Sequence, residues 1–530
     1  MPLRHQKRWN VFLAIFAIIP PAASLNRDLC LGIVRLGLAN GSLPPDDEVF
    51  NRGKDGLPLS SWSDPVLTFR GCEKLCGGGI RWYTDSGPRL NTWVIPVLIL
   101  ISNMDVSPID KRKYQIILHL LGDPINSLWS LLTKIEVWSR LHHTAAQYRK
   151  PSNGVNVGEA KVMGTLLGAM EELSVPAKDP IAVYLQLFRG WDTKRMSSTQ
   201  LMDVMFDTAR KLADSRTDDI LRTCLAVILY FWQVISAFIG ILGGGDSSPP
   251  AGRIATAIFM TWIIPIVLLS NVVGGFVSRR SCFQIIQDFA SKIPRKGEDH
   301  VAQGYVQDIA PIFGYVDKED YFVAQAWNGA IYTYRPHKQL FQSSSRNLGS
   351  SAFPLVLAVL PVIISAVTSY VITHYSPPRG LGCRGVLILV FISAYVASAL
   401  LTWCFSRLSK PKWHWHWTLA KDAAIAIPGI LFIFVSSAGL FGSCRCASTR
   451  MSLRERAYVL LNNNPFLERN NKTLYPTVFA VCLVLQVAVF LFMVWLGRHG
   501  LRLMRWSEEE RSGQRWNDGE LQYTRICDEN

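Results

Sequence analysis

The chain has 530 residues, of which 49% are hydrophobic and only 18% charged, with a mean hydropathy of +0.17 and a formal net charge of +15. Its apolar residues fall in blocks, which excludes a string of ordinary soluble domains and indicates an all-α polytopic membrane protein. The positive excess is spread over loops with no dense basic run among aromatics, so nucleic acid is not an expected partner and the lipid bilayer is.

Met1 to Ser24 has a basic start (Arg4, Lys7, Arg8), an apolar stretch Val11 to Ile19 and small residues before Ser24. That is the layout of a signal peptide cleaved after 24, preferred here over an uncleaved anchor. Both readings put residues 25–91 outside the cytosol. This segment is polar and rich in Gly and Pro, holds Cys30, Cys72 and Cys76, and carries the sequon at Asn40. It is too small to bury much core without cross-links.

The run at 92–107 is short and interrupted by Pro96 and Asp105, yet it organises the topology. Read as the first span, it makes 108–220, 278–351 and the tail 498–530 cytosolic. Further spans are expected at 221–242, 254–277, 352–374, 384–406, 419–441 and 475–497, each near the ~20 residues that cross ~30 Å of hydrocarbon. With seven spans, basic residues at span ends such as Arg279, Arg280, Arg407, Arg498 and Arg502 face the cytosol. The second sequon, at Asn471 in loop 442–473, then shares a side with Asn40. The six arginines and lysines of that outer loop run against the rule.

On this topology Cys30, Cys72, Cys76, Cys383, Cys444 and Cys446 face the oxidising side, an even set suited to disulfides. Fifteen pairings are open. Cys444 and Cys446 are too close for an easy mutual bond, so one of them is expected to clip to Cys383. Residues 108–220 predict a small cytosolic helical domain. Asp123-Pro124 and Asp179-Pro180 each place a capping acid before a first-turn proline. Two more helices are expected over 157–173 and 198–212, and the tail reads as disordered.

Signals for chemistry are weak. Gly380 to Gly385 matches G-x-G-x-x-G but lies in a short loop between spans, so it reads as a turn. Trp413 to Trp417, with His414 and His416, reads as an interfacial aromatic belt. His142-His143, Glu171-Glu172 and Asp203 with Asp207 read as helix surface. Cys527, fourth from the end, lacks the aliphatic neighbours of a prenylation site. No ionisable residue stands in the middle of the strong spans, and Lys421 and Asp422 sit at a boundary, which counts against an ion-coupled carrier. No metal site and no cofactor is expected, and no residue is identified as catalytic.

The stretches RWYTDSGPRLNTWVIPVLILISNM and HLLGDPINSLWSLLTKIEVW resemble multi-pass membrane proteins of filamentous fungi, over most of 70–500. The resemblance transfers no functional residue; it implies a fungal membrane protein, with some relatives accompanying secondary-metabolite genes. The expected function is a non-enzymatic sensing, scaffolding or accessory role at the plasma membrane or an endomembrane. Segment 108–220 would offer a surface to a cytosolic protein partner. A membrane-embedded enzyme acting on a lipophilic small molecule is the alternative, and a carrier of a neutral lipophile comes third.

Overall fold

A computed structural model describes residues 27–43, 50–51, 66–76, 86–91, 93–104, 113–148, 157–174, 178–189, 194–216, 220–236, 251–274, 279–294, 309–316, 352–376, 380–408, 411–438, 458–460 and 473–512. The expected signal segment 1–24, Asn471, the helix near 319–333 and the tail beyond 512 lie outside these residues, as do Cys444, Cys446 and the side chains of Cys30, Cys72 and Cys76.

The described chain is almost wholly helical. The N-terminal segment forms α1 (Arg27–Ala39), β1 (Phe50–Asn51), β2 (Val66–Thr68) and α2 (Phe69–Cys76). Asn40 is exposed at the end of α1. A three-stranded antiparallel sheet of order β1-β2-β3 qualifies the all-α expectation. Its third strand, β3 (Tyr458–Leu460), comes from loop 442–473 and pairs Val66 with Leu460 and Thr68 with Tyr458. The two segments expected on one side of the membrane are therefore hydrogen-bonded to each other.

Next come α3 (Ser86–Asn91) and α4 (Val94–Ser102). The expected first span thus holds a helix of nine residues, about 14 Å long at 1.5 Å per residue and too short to cross a bilayer alone. Asn103 stops it: its side-chain amide donates to Ile99 O at 2.7 Å. Five helices are long and apolar enough to span: 254–273, 353–375, 383–405, 416–435 and 475–496. The first of these is α11 (Ala251–Phe259) joined through a 3-10 turn to α12 (Ile263–Val273). The others are α15 (Ala352–Tyr375), α16 (Cys383–Leu408), α17 (Pro411–Ala438) and α18 (Tyr475–Leu496). Of the region expected at 221–242, the described part is α10 (Ile220–Ser236), with a shorter apolar stretch at 221–232.

Between α4 and α10 lie α5 (Lys113–Gly122), α6 (Pro124–Tyr148), α7 (Val157–Leu173), α8 (Pro180–Leu187) and α9 (Ser198–Asp214). The two proline-started helices begin where the capping signals put them. Asp179 accepts from Ile181 N at 3.1 Å, and Asp123 accepts from Asn126 N at 3.1 Å. These helices do not form a body of their own. The long α6 packs against α5, α7, α12, α15, α16 and α19 (Arg498–Met504), and its core residues Leu128, Leu131, Trp138 and Leu141 join those of the spans in one cluster. Two short cytosol-expected helices, α13 (Arg279–Ser291) and α14 (Ala310–Phe313), pack on this group through α9, α7 and α8.

The start of the tail is also ordered, against expectation. Leu501, Leu503, Met504 and Trp506 are buried, and α20 (Glu508–Ser512) follows. Gly164 and Gly168 of α7 leave room for them: a Cβ at either position would collide with the side chain of Leu503 or Met504. Trp506 Nε1 donates to Thr165 Oγ1 at 3.2 Å between the two glycines.

The bundle has two distinct ends. At one, Ser376 and Tyr475 hydroxyls meet at 3.2 Å beside the loop that supplies β3, and Cys383 is disulfide-bonded. Cys224, Cys282, Cys404 and Cys482 form no disulfide. At the other end, α5, α6 and α19 close over the termini of the spans.

Candidate functional site

The densest buried polar group sits where the α5–α6 corner meets α16 and α17. α5 ends at Gly122, a single residue breaks the helix, and α6 starts at Pro124. Asp123 at the break caps α6 with Oδ1, which leaves Oδ2 to point away from the helix. Gly122 brings the corner against α17, since a Cβ there would stand 2.7 Å from the Asp422 backbone oxygen. The carbonyl of Gly122 accepts from the Ser398 hydroxyl at 2.8 Å.

Around that contact, His119, Asp123 and Asp422 are fully buried and Lys421 is 8% exposed. Lys421 Nζ donates to Asp123 Oδ2, Ser398 Oγ and Thr402 Oγ1, all at 2.7 Å. Thr402 donates in turn to Asp123 Oδ2 at 2.6 Å. His119 Nδ1 donates to Asp422 Oδ2 at 2.7 Å, and Nε2 accepts from the Asn126 side-chain amide at 3.1 Å. An ammonium has three hydrogens, and here all three have partners. The remaining oxygen, Asp422 Oδ1, lies 2.8 Å from Nζ as a charge contact but receives no hydrogen bond. One lysine thus faces two aspartates, and His119 pairs with the second.

His119, Asp123 and Asp422 each bring a ligand-type atom within 4.8 Å of the others, the donor set of a divalent metal site. Lys421 already fills the cation position between the two carboxylates, so an ion would have to displace the ammonium. The residues present fit a lysine-centred network better than a metal.

A second charged network lies further along α6. Lys134 donates to Glu171 Oε2 and stands 3.5 Å from Glu172, which has Arg216 at 4.0 Å. Both cations lie over Trp138, at 5.6 and 4.8 Å from ring centroids. Arg216 also donates to the Val273 carbonyl at 2.9 Å, tying the end of α9 to the end of the span α11–α12. Two cations meet two carboxylates here. A third group is uncharged: Gln486 Nε2 donates to Ser365 Oγ at 2.8 Å and to Pro361 O at 2.9 Å between α18 and α15.

The residues singled out from sequence fare unevenly. Glu171 is buried and ion-paired, not solvated as expected, because Lys134 reaches it from α6. Asp207 does sit in a surface ion-pair set with Arg210, Lys211 and Lys292, and the Lys211 hydrogen bond holds its carboxyl below the usual range. Gly380 takes φ 123° in the turn before α16. His142 is half-buried and His143 exposed on α6. The charged cluster itself was missed. Its signal was present in His119 and Asp123, one helical turn apart, and in an adjacent Lys-Asp pair inside an apolar helix.

Comparisons with known protein families, with curated proteins and with solved structures return no match.

Proposed function

We propose that the chain is a multi-pass membrane protein with a non-enzymatic sensing or scaffolding role. In this reading the α5–α6 corner relays the state of the spans to helices α7–α9 on the cytosolic side. The sealing of the His119–Asp422–Lys421–Asp123 group carries this reading. A catalytic group must touch its substrate, whereas these side chains are closed off and spend their bonds on one another. Such a group holds helices in one arrangement, and two elements that share it must move together. The joining of segment 25–91 to loop 442–473 by β2 and β3 supports an outer face opposite that corner. An accessory role beside fungal secondary-metabolite genes belongs to the same proposal.

A proton-coupled carrier is the second reading, favoured by the second carboxylate, since buried ionisable groups mark such carriers. Purified protein in liposomes separates the two. The sensing reading expects neither turnover nor accumulation of lipophilic substrates, while a bound ligand alters hydrogen exchange in α5 and α6. Time-dependent conversion or proton-driven uptake that disappears in Asp422→Asn would overturn it.

A further inference from the structure

The corner between the last turns of α6 and α19 gathers four basic side chains, His142, Arg498, His499 and Arg502. A single residue, Gly497, separates α19 from the end of the span α18 at Leu496. Gly500 lets it lie directly on α6, because a Cβ there would collide with the Ile135 carbonyl and reach Ser139 Oγ at 2.7 Å. One turn beyond Ser139 stand His142 and His143. Opposite them stand His499 and Arg498, whose Nε lies 3.5 Å from His499 Nε2, with Arg502 one turn on.

The neighbouring charged groups can be accounted for in turn. On α6, Arg140 is matched by Glu136 at 2.6 Å. On α7, Lys161 is matched by Glu510 of α20 at 2.7 Å. Among the described residues no acid lies within 4.0 Å of His142, His499, Arg498 or Arg502. His142 Nδ1 is buried with no hydrogen-bond partner. Burial, then His499, Lys161 and His143, hold the His142 imidazole below its ordinary value; burial, then Arg498 and Arg502, do the same to His499.

The position narrows the occupant. Phe492 and Trp495 are exposed and stacked at 5.9 Å on the last turns of the span, and the Arg498 guanidinium lies 5.6 Å over Trp495. Exposed aromatics followed directly by arginines mark the level of lipid headgroups.

We propose that His142, His499, Arg498 and Arg502 form a binding site for the phosphate of an anionic phospholipid headgroup, with its acyl chains lying along Phe492 and Trp495. The phosphate supplies the missing negative charge and acceptors for the guanidinium groups. Binding draws protons onto the two imidazoles, so affinity rises as pH falls toward the ordinary histidine range of about 6.5.

The test is thermal unfolding of the full chain in neutral detergent, titrated with phosphatidic acid, phosphatidylcholine or inorganic phosphate at pH 6.0 and 8.0. Phosphatidic acid should raise the midpoint, more at pH 6.0, while the other two leave it unchanged. Arg498→Gln/Arg502→Gln should bind about 30-fold more weakly, at roughly tenfold or less for each basic residue near a membrane surface. Both arginines are exposed, so the variant keeps its fold and its midpoint without lipid. His142→Asn/His499→Asn should abolish the pH difference. An undiminished shift in the arginine variant, or an equal shift with phosphatidylcholine, overturns the site. An equal shift with inorganic phosphate overturns its assignment to lipid.

Discussion

The two charged networks along α6 are built from the same kinds of side chain and differ in their charge balance. Around Lys134, two cations meet two carboxylates, with Trp138 stacked beneath both cations. Around Lys421, one lysine meets two carboxylates, and a histidine and an asparagine complete the set. Breaking a buried pair by deleting one partner strands the other charge, whereas removing a surplus charge relieves the rest. The first network is therefore expected to lose from every single neutralisation. The second should distinguish sharply between its members.

The largest effect is expected for Lys421→Met, which leaves Asp123 and Asp422 buried without a cation. A loss of about 3–5 kcal/mol should appear as a strongly lowered unfolding midpoint in detergent. Glu171→Gln should lose about 1.5–3 kcal/mol, because Lys134 keeps only the longer contact to Glu172. Gly122→Ala tests the approach of the corner to α17 and should cost about 1–3 kcal/mol by overpacking against backbone. Asp422→Asn removes the second carboxylate, keeps a polar group beside His119, and should stay within about 1 kcal/mol of the parent. If Asp422→Asn proved as damaging as Glu171→Gln, the distinction between the networks would fail.

The smallest effect concerns pH. His142 and His499 are held below their ordinary value in the fold. The unfolded chain binds protons first, so stability is full above about pH 6.5 and declines as pH falls through the unfolded-state value. In lipid-free detergent the midpoint should drop slightly between pH 7.5 and 5.5, and less so in His142→Asn/His499→Asn.

Much of the helical layout was legible because it is written locally. Asp123-Pro124 and Asp179-Pro180 marked helix starts, and the five long apolar blocks from 254 onward became helices long and apolar enough to cross a membrane. The first expected span holds a helix too short to cross alone, since Trp93 and Asn103 bound it to nine residues. The site was legible only in halves. Asp123 was read as a cap, which accounts for one of its oxygens; the partner of the other lies 298 residues away on α17. Lys421 and Asp422 looked like a span boundary because hydropathy cannot show that α5, drawn from a polar-looking region, closes over them. The ordered start of the tail was hidden for a similar reason. Its four apolar side chains mean little until Gly164 and Gly168 are placed on one face of α7.

The central claim is that the α5–α6 corner belongs to the membrane bundle and is fastened there through Lys421. A double-mutant cycle with Asp123→Asn and Lys421→Met, followed by unfolding in detergent, measures that fastening directly. The account predicts that the double variant is more stable than the sum of the single losses implies, by about 1–3 kcal/mol. Losses that add to within about 0.3–0.5 kcal/mol would mean the two residues do not share a buried contact, and the corner would not be docked on α17.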